Sequence, residues 1–235
     1  MSIDDAALAE SLRRLAASGN HSTVVEALRQ VVTACVDLFG VSGAGLLVAE
    51  DQDMLRYVVA SDDVGRALET AEAATGQGPC TEAFVDSRVV TTSDLRADAE
   101  RWPELARAVA AQPVRAVLGV PVRLGGIPVG TLDVYRDHRH DWDDSECAAL
   151  ARYAEVIATT MAAALQAHTA GELARQLQYA LDYRVVIERA VGFLMSRDST
   201  DAVAAFNALR AAARSRRTKI GEVAQGVLDD GHLTA

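Results

Sequence analysis

Cysteine and lysine are scarce in this chain of 235 residues, and long hydrophobic runs are absent. The three cysteines, Cys35, Cys80 and Cys147, lie far apart and are odd in number. With no CxxC pair and no Cys/His ligand spacing among them, neither a disulfide framework nor a zinc site is indicated. No stretch approaches the ~20 apolar residues of a membrane span, so a soluble globular chain with no membrane partner is expected. The N-terminus, MSIDDAALAESLRRLAA, is acidic and helically patterned. It lacks the charged start, apolar centre and small-residue cleavage site of a secretory signal, which predicts a cytoplasmic protein. Lys219 is the only lysine, and that removes the phosphate-loop reading of TGQGP (75–79), because the Walker spacing ends in lysine. Paired-carboxylate and metal-ligand motifs are also missing. Catalytic residues and metal ligands are therefore not assigned, and the chain does not read as an enzyme.

What is present is an uneven distribution of charge. The net charge is −10, yet residues 1–170 hold 14 basic against 25 acidic side chains, while residues 171–235 hold 9 against 8. The stretch RAAARSRRTK (210–219) packs five basic side chains and no acid. On a helix of 3.6 residues per turn, Arg210, Arg214 and Arg217 fall within about 60° of one another, which makes one face basic. A polyanion is one partner for such a face; a solvated helix end is the plain alternative. An acidic larger domain would repel polyanions and leave binding to the terminal module.

Length allows one domain of about 150 residues and a smaller module. STVVEALRQVVTACVDLF (22–39) repeats apolar side chains at helical spacing and stops at Gly40. AGLLVAE (44–50) and LRYVVASD (55–62) read as a hairpin. A helix follows near 64–73, then the Gly/Pro loop TGQGPC leading into TEAFVDS, then a strand at 89–95. RWPELARAVAAQ (101–112) starts a helix near Pro103. The two apolar runs of VRAVLGVPVRLGGIPVGTLDVYR (114–136) turn at Gly125 and Gly126, where positive φ costs little. Together these predict an antiparallel sheet with flanking helices, an α+β fold.

From Asp143 the pattern becomes helical almost to Arg197. Leu150, Ala154, Ile157, Met161, Ala164 and His168, then after Gly171 Leu173, Leu177, Ala180, Arg184, Ile187, Val191 and Leu194, follow a heptad seam. A coiled-coil homodimer is expected, with packing of the first half on its own sheet as the alternative. DAVAAFNALRAAARS and TKIGEVAQGVL are two further amphipathic helices, so the chain ends in a small bundle of three.

Residues 171–231 resemble an ANTAR domain, the three-helix RNA-binding module of bacterial transcription antiterminators. The resemblance runs through LQYALDYRVVIERAVGFLM and DAVAAFNALRAAARSRRTKIGEVAQGVL. Residues 20–168 resemble a GAF domain of the subtype that precedes ANTAR in actinobacterial regulators, through GQGPCTEAF (76–84), SDL with RWP, and the VLGVPV and PVGTLDVYR hairpin. The implied division is an N-terminal helix over 1–19, a GAF sensor over 20–168 and an ANTAR module over 169–235, joined by a long connecting helix. The resemblance implies binding of paired RNA hairpins in leader transcripts, so that an overlapping terminator cannot form. Arginine suits that task, since its planar fork pairs with phosphate and stacks on unpaired loop bases. The candidate RNA-binding residues are Arg184, Arg189, Ala190, Gly192, Arg210, Arg214, Arg216, Arg217 and Lys219. Ala190 and Gly192 would admit close approach of RNA, though tighter helix packing accounts for Ala190 equally well. Met195, Phe206 and Leu209 read as core.

One departure stands out. The family pattern usually reads Ala-Lys-Gly where this chain has Ala190, Val191 and Gly192, so a lysine expected to meet RNA is missing. Restoring lysine at position 191 is expected to tighten binding.

GAF domains hold small ligands or act as dimer platforms, and the cofactor is left unknown. Cys80, Asp94, Arg101 and Trp102 are the candidate ligand-binding residues of this half. Each has a structural counterpart reading: Cys80 as a buried thiol, Asp94 as a cap, Trp102 as packing at a helix start. Two rival functions remain at this stage. One is a GAF-type small-molecule-binding protein or enzyme acting on a sulfoxide or nucleotide, which the scarcity of thiols disfavours. The other is a DNA-binding helical regulator, which would present a helix N-terminus to the major groove, whereas the last helix carries Glu222, Asp229 and Asp230.

Overall fold

The computed structural model describes residues 3–18, 23–49, 55–166, 171–216 and 218–233. In chain order they form α1 (Asp5–Ser18), α2 (Val24–Phe39), β1 (Gly43–Val48), β2 (Arg56–Ala60), α3 (Asp63–Thr75), α4 (Pro79–Asp86), β3 (Val90–Thr92), α5 (Pro103–Ala108), β4 (Ala116–Leu124), β5 (Ile127–Arg136), α6 (Asp144–Gln166), α7 (Gly171–Asp198), α8 (Ala202–Arg216) and α9 (Ile220–Asp230). The described strands make one antiparallel sheet in the order β2-β1-β5-β4-β3, with β4 and β5 joined at Gly125 and Gly126, both at positive φ.

Alternation along the strands feeds two cores. Leu132 and Val134 of β5, with Leu118 and Val120 of β4, pack among Leu28, Val32 and Cys35 of α2 and Leu150, Tyr153 and Ile157 of α6. Val117 and Tyr135 face the other way, toward Leu68 of α3, Ala83 of α4 and Leu105 of α5. Thr131 and Asp133 share that second face by the period of two.

Local chemistry sets the helix ends. Thr23 caps α2 by accepting the Glu26 N–H at 3.3 Å, and Asp62 caps α3 by accepting the Gly65 N–H at 2.7 Å. Gly40 and Gly76 close those helices in the left-handed conformation, at φ 55° and 69°, which glycine adopts without a Cβ penalty. At the start of α6, Asp143 accepts the Glu146 N–H at 3.0 Å and Glu146 accepts the Asp143 N–H at 2.9 Å, a reciprocal capping box.

Two expectations change. The loop read over TGQGPC ends at Gly78, because Pro79 already opens α4; proline at the first helical position gives up an N–H that has no intrahelical acceptor. The heptad seam is also used inside the chain. Leu150, Ala154, Ile157, Met161 and Ala164 are buried in their own domain, as are Ile187, Val191 and Leu194 further on. Apolar side chains at helical spacing serve a sheet face as well as a partner helix, and here the sheet is adjacent. His168 lies outside the described residues, and the side chains of Leu173, Leu177, Ala180 and Arg184 do also. By length and composition α6 passes for a membrane span, but its apolar stripe is the lid of the first core.

The last three helices pack on one another and on the sheet domain, α7 against β5 and α8 against α4. The contact centres on Phe206 of α8, 2% exposed, whose ring meets that of Phe84 edge-on at 6.1 Å between centroids. Replacing Phe206 with alanine should cost about 3–5 kcal/mol, read as a lowered urea midpoint.

Candidate nucleic-acid interface and sensor site

Arg210 and Arg214 of the predicted arginine face lie on α8, and Arg210 is already occupied. Arg210 is 5% exposed. Its Nη2 donates to the Ala73 carbonyl and lies 3.4 Å from the Ala74 carbonyl. Arg214 Nη2 approaches the Ala74 carbonyl at 3.5 Å, and Asn207 Nδ2 donates to the Gly76 carbonyl at 3.1 Å. These acceptors are the last turn of α3 and its cap, whose carbonyls point out of the helix end and carry its negative dipole. The acidic partner of Arg210 in this arrangement is therefore a helix C-terminus, not a polyanion. Gly76 is needed there twice over: a Cβ would fall 2.1 Å from Arg210 Nη1, and φ is positive.

The remaining RNA candidates divide by exposure. Arg189, Gly192, Arg214 and Arg216 are exposed, and a Cβ on Gly192 would meet open space. Ala190 is fully buried, so helix packing is its role here; Val191 beside it is 8% exposed, within the same core. A lysine at 191 would thus have to displace packing before reaching RNA. Lys219 is half-buried at the start of α9. Arg217 and the Arg184 side chain lie outside the described residues. Phe206 and Leu209 are core as expected, whereas Met195, read as core, is 37% exposed because α7 turns that side away from α8 and α9.

The ligand candidates of the sheet domain do not converge. Asp94 is held by Arg115, Nε to Oδ1 at 2.8 Å, and that hydrogen-bonded guanidinium pulls its carboxyl down to about 2. Arg101 pairs with Glu82, Nε to Oε2 at 3.2 Å, and lies 4.3 Å over the Trp102 ring. Trp102 is buried in the second core. These are structural ion pairs and packing, which leaves Cys80 as the one candidate at an unusual location.

Cys80 sits at a buried cluster that the sequence reading missed. Glu69 and Glu72 of α3 and Asp133 of β5 are all 0% exposed, as is Cys80. Glu72 Oε2 accepts the N–H groups of Cys80 and Thr81 at 2.9 and 3.0 Å, capping α4 from a neighbouring helix. Both oxygens of Glu69 and both of Asp133 are buried with no hydrogen-bond partner outside the cluster, and Glu72 Oε1 and the Thr131 hydroxyl are buried without one. Burial pushes the Glu72 carboxyl up to about 8, against the downward pull of those N–H donors. Burial first, then the neighbouring Asp133, raises Glu69 well above the ordinary carboxyl range. Asp133 rises for the same desolvation, partly offset by its Glu69 and Cys80 neighbours. The Cys80 thiol is likewise driven up by burial and by the charges around it.

Glycines clear the space. A Cβ on Gly45 would lie 1.9 Å from Glu69 Oε1 and 3.0 Å from Asp133 Oδ1, and one on Gly78 would lie 2.3 Å from Glu72 Cδ. The signals in the sequence were an acid in the middle of an apolar strand, TLDVY, and two acids spaced i,i+3 beside Leu68.

Family comparison identifies both halves. A GAF domain model matches residues 21–165, more than half of the chain. The chain belongs to the GAF family. An ANTAR domain model matches residues 175–228, so this GAF protein ends in an ANTAR module, as the residues suggested. Solved structures agree on the fold. A domain of a putative two-component sensor histidine kinase protein from Sinorhizobium meliloti is 17% identical, with TM-score 0.53, over 64% of this chain and 100% of that one. The free methionine-R-sulfoxide reductase of Neisseria meningitidis is 18% identical, with TM-score 0.54, over 71% and 96%. The GAF domain of a phosphoenolpyruvate-protein phosphotransferase from Coxiella burnetii is 16% identical, with TM-score 0.53, over 68% and 96%. No match was found among curated protein sequences.

Two outcomes are expected at this cluster. Between pH 4.5 and about 8 the folded state keeps the Glu72 proton that the unfolded chain releases, so stability falls as pH rises through that window. Glu72→Gln should flatten the decline in Tm across it in metal-free buffer while keeping an acceptor for Cys80 and Thr81. Gly45→Ala should lower stability by about 1–3 kcal/mol through overpacking against Glu69, measured by urea unfolding.

Proposed function

We infer that GAF and ANTAR domains in one chain make a sensor-regulated, RNA-binding regulator. We propose that this protein is a transcription antitermination regulator whose ANTAR module binds paired RNA hairpins in leader transcripts, and that the GAF domain governs how much of the α8 arginine face RNA can reach. The observation that carries the reading is the seat of Arg210. A guanidinium held by the α3 carbonyls is unavailable to phosphate, so RNA binding by this face requires α8 to leave the GAF domain.

The energetics set the scale of that exchange. Undocking gives up a charged hydrogen bond, about 1.5–3 kcal/mol, and the Phe206 packing, about 3–5 kcal/mol, a cost that the sensor ligand's preference for the undocked state has to supply. Apparent RNA affinity then scales with the fraction of undocked molecules. Arg189, Arg214 and Arg216 form the part of the interface that stays exposed, with Arg184, Arg217 and Lys219 as further contacts. Homodimerisation through the 171–184 stretch would present two modules to two hairpins. The GAF half acts as a binding domain for a small molecule without catalytic turnover, in a cytoplasmic setting.

Replacing both Arg214 and Arg217 with alanine should weaken binding to a two-hairpin RNA and shallow its salt dependence by about 0.7 per lost contact on the logarithmic slope, with helical content unchanged. Duplex DNA and a single hairpin serve as the competing ligands; equal binding of the double variant would count against the basic face. Conversely, Gly76→Asn keeps a residue tolerant of the left-handed cap but drives a side chain into Arg210. It should raise RNA affinity several-fold in gel-shift titrations, and unchanged affinity would mean that docking does not gate binding.

A further inference from the structure

We propose that Glu69, Asp133 and Cys80 form a binding site for a divalent transition-metal ion of the zinc type, enclosed between α3, the start of α4 and the middle of β5. One carboxylate oxygen from each of Glu69 and Asp133 and the Cys80 Sγ lie within 4.8 Å of one another, and all three residues are buried. Metal–sulfur and metal–oxygen bonds of ~2.3 and ~2.0–2.2 Å correspond to donor separations of roughly 3.3–3.6 Å in a tetrahedral site. Small rotamer changes bring the three donors to that spacing.

Unmet valence points to a ligand. Four carboxylate oxygens of Glu69 and Asp133 are buried with no hydrogen-bond partner from outside the cluster, a costly arrangement for buried polar atoms. Outside the carboxylates, the Thr131 hydroxyl is fully buried, without a partner, and on the same sheet face as Asp133. Glu72 Oε1, also without a donor, is available as a fourth ligand or as an acceptor for a metal-bound water. Gly45, lacking a Cβ, makes the room that the Glu69 carboxylate occupies beside Asp133. With every one of these side chains enclosed, the space between them suits a monatomic ion rather than an amine or nucleotide.

Donor type narrows the ion. Magnesium and calcium select all-oxygen sets, whereas a thiolate beside carboxylates suits zinc and its neighbours. On binding, Cys80 becomes a thiolate and its proton leaves to solvent, as does the proton held by Glu69. Two positive charges then face the three negative ones of the ligands. The ion would rest on the helix whose last carbonyls grip Arg210.

The test takes the full-length protein, reduced and stripped with chelator, and titrates it with Co2+ without oxygen. One equivalent should produce a thiolate-to-cobalt charge-transfer band in the near ultraviolet with the visible bands of a tetrahedral ion, and Zn2+ should erase both. Cys80→Ser should abolish the charge-transfer band; Asp133→Asn and Glu69→Gln should weaken uptake at least tenfold; Cys147→Ser and Cys35→Ala should leave the band in place. Absence of the band in the unsubstituted protein overturns the site, whether or not the variants fold. Survival of the band in Cys80→Ser, or its loss in Cys147→Ser, overturns it equally.

Discussion

The relation between the two domains turns on a guanidinium at a helix end. Arg210 meets the carbonyls of Ala73 and Ala74 where α3 has no further residues to satisfy them, so each group solves the other's problem. The helix end gains donors and a positive charge, and the guanidinium gains acceptors in a place that excludes water. The ring contact of Phe84 with Phe206 and the Asn207 bond to the Gly76 carbonyl fix α8 in register with this pair. The aromatic contact joins the apolar residues of both domains into one continuous cluster, with these polar interactions at its edge.

The same helix carries the sensor half's least ordinary chemistry. On its inward side, Glu69 and Glu72 are buried beside Asp133 and Cys80, and the Glu72 carboxylate closes the N-terminus of α4. Thus α3 touches the acid cluster along its body and α8 at its end, while α4 touches the cluster through Cys80 and α8 through Phe84. A change in charge at the cluster bears on two of the elements that hold the ANTAR module. In energetic terms, the buried acids are a reservoir of desolvation cost, set directly behind the contact that conceals part of the arginine face.

Much of this was legible in the chain. Asp62 and Gly76 bracket α3, Gly125 and Gly126 turn β4 into β5, and Val203 to Ala213 carry an amphipathic stripe. Arg210 and Arg214, four residues apart on α8, share a face by helical geometry alone. The heptad seam was legible as well, but its periodicity is indifferent to whether the partner is a second chain or a neighbouring sheet. Val191 illustrates the same ambiguity at one position, read as the loss of an RNA contact and found inside the core.

What the sequence determined by itself is the periodic and local: the helices and strands, their caps, the two domains and the basic face of α8, because spacing and turn chemistry act over a few residues. What only the tertiary structure decided is where that face points and which acids meet. Ala73 and Arg210 are 137 residues apart, and Glu69, Cys80 and Asp133 come from separate stretches; the sheet's pairing, the packing of α3 on β1 and that of α4 on β5 bring them together. Burial is a property of the assembled chain, so the desolvation that sets both the acid cluster and the Arg210 seat has no counterpart in any short segment.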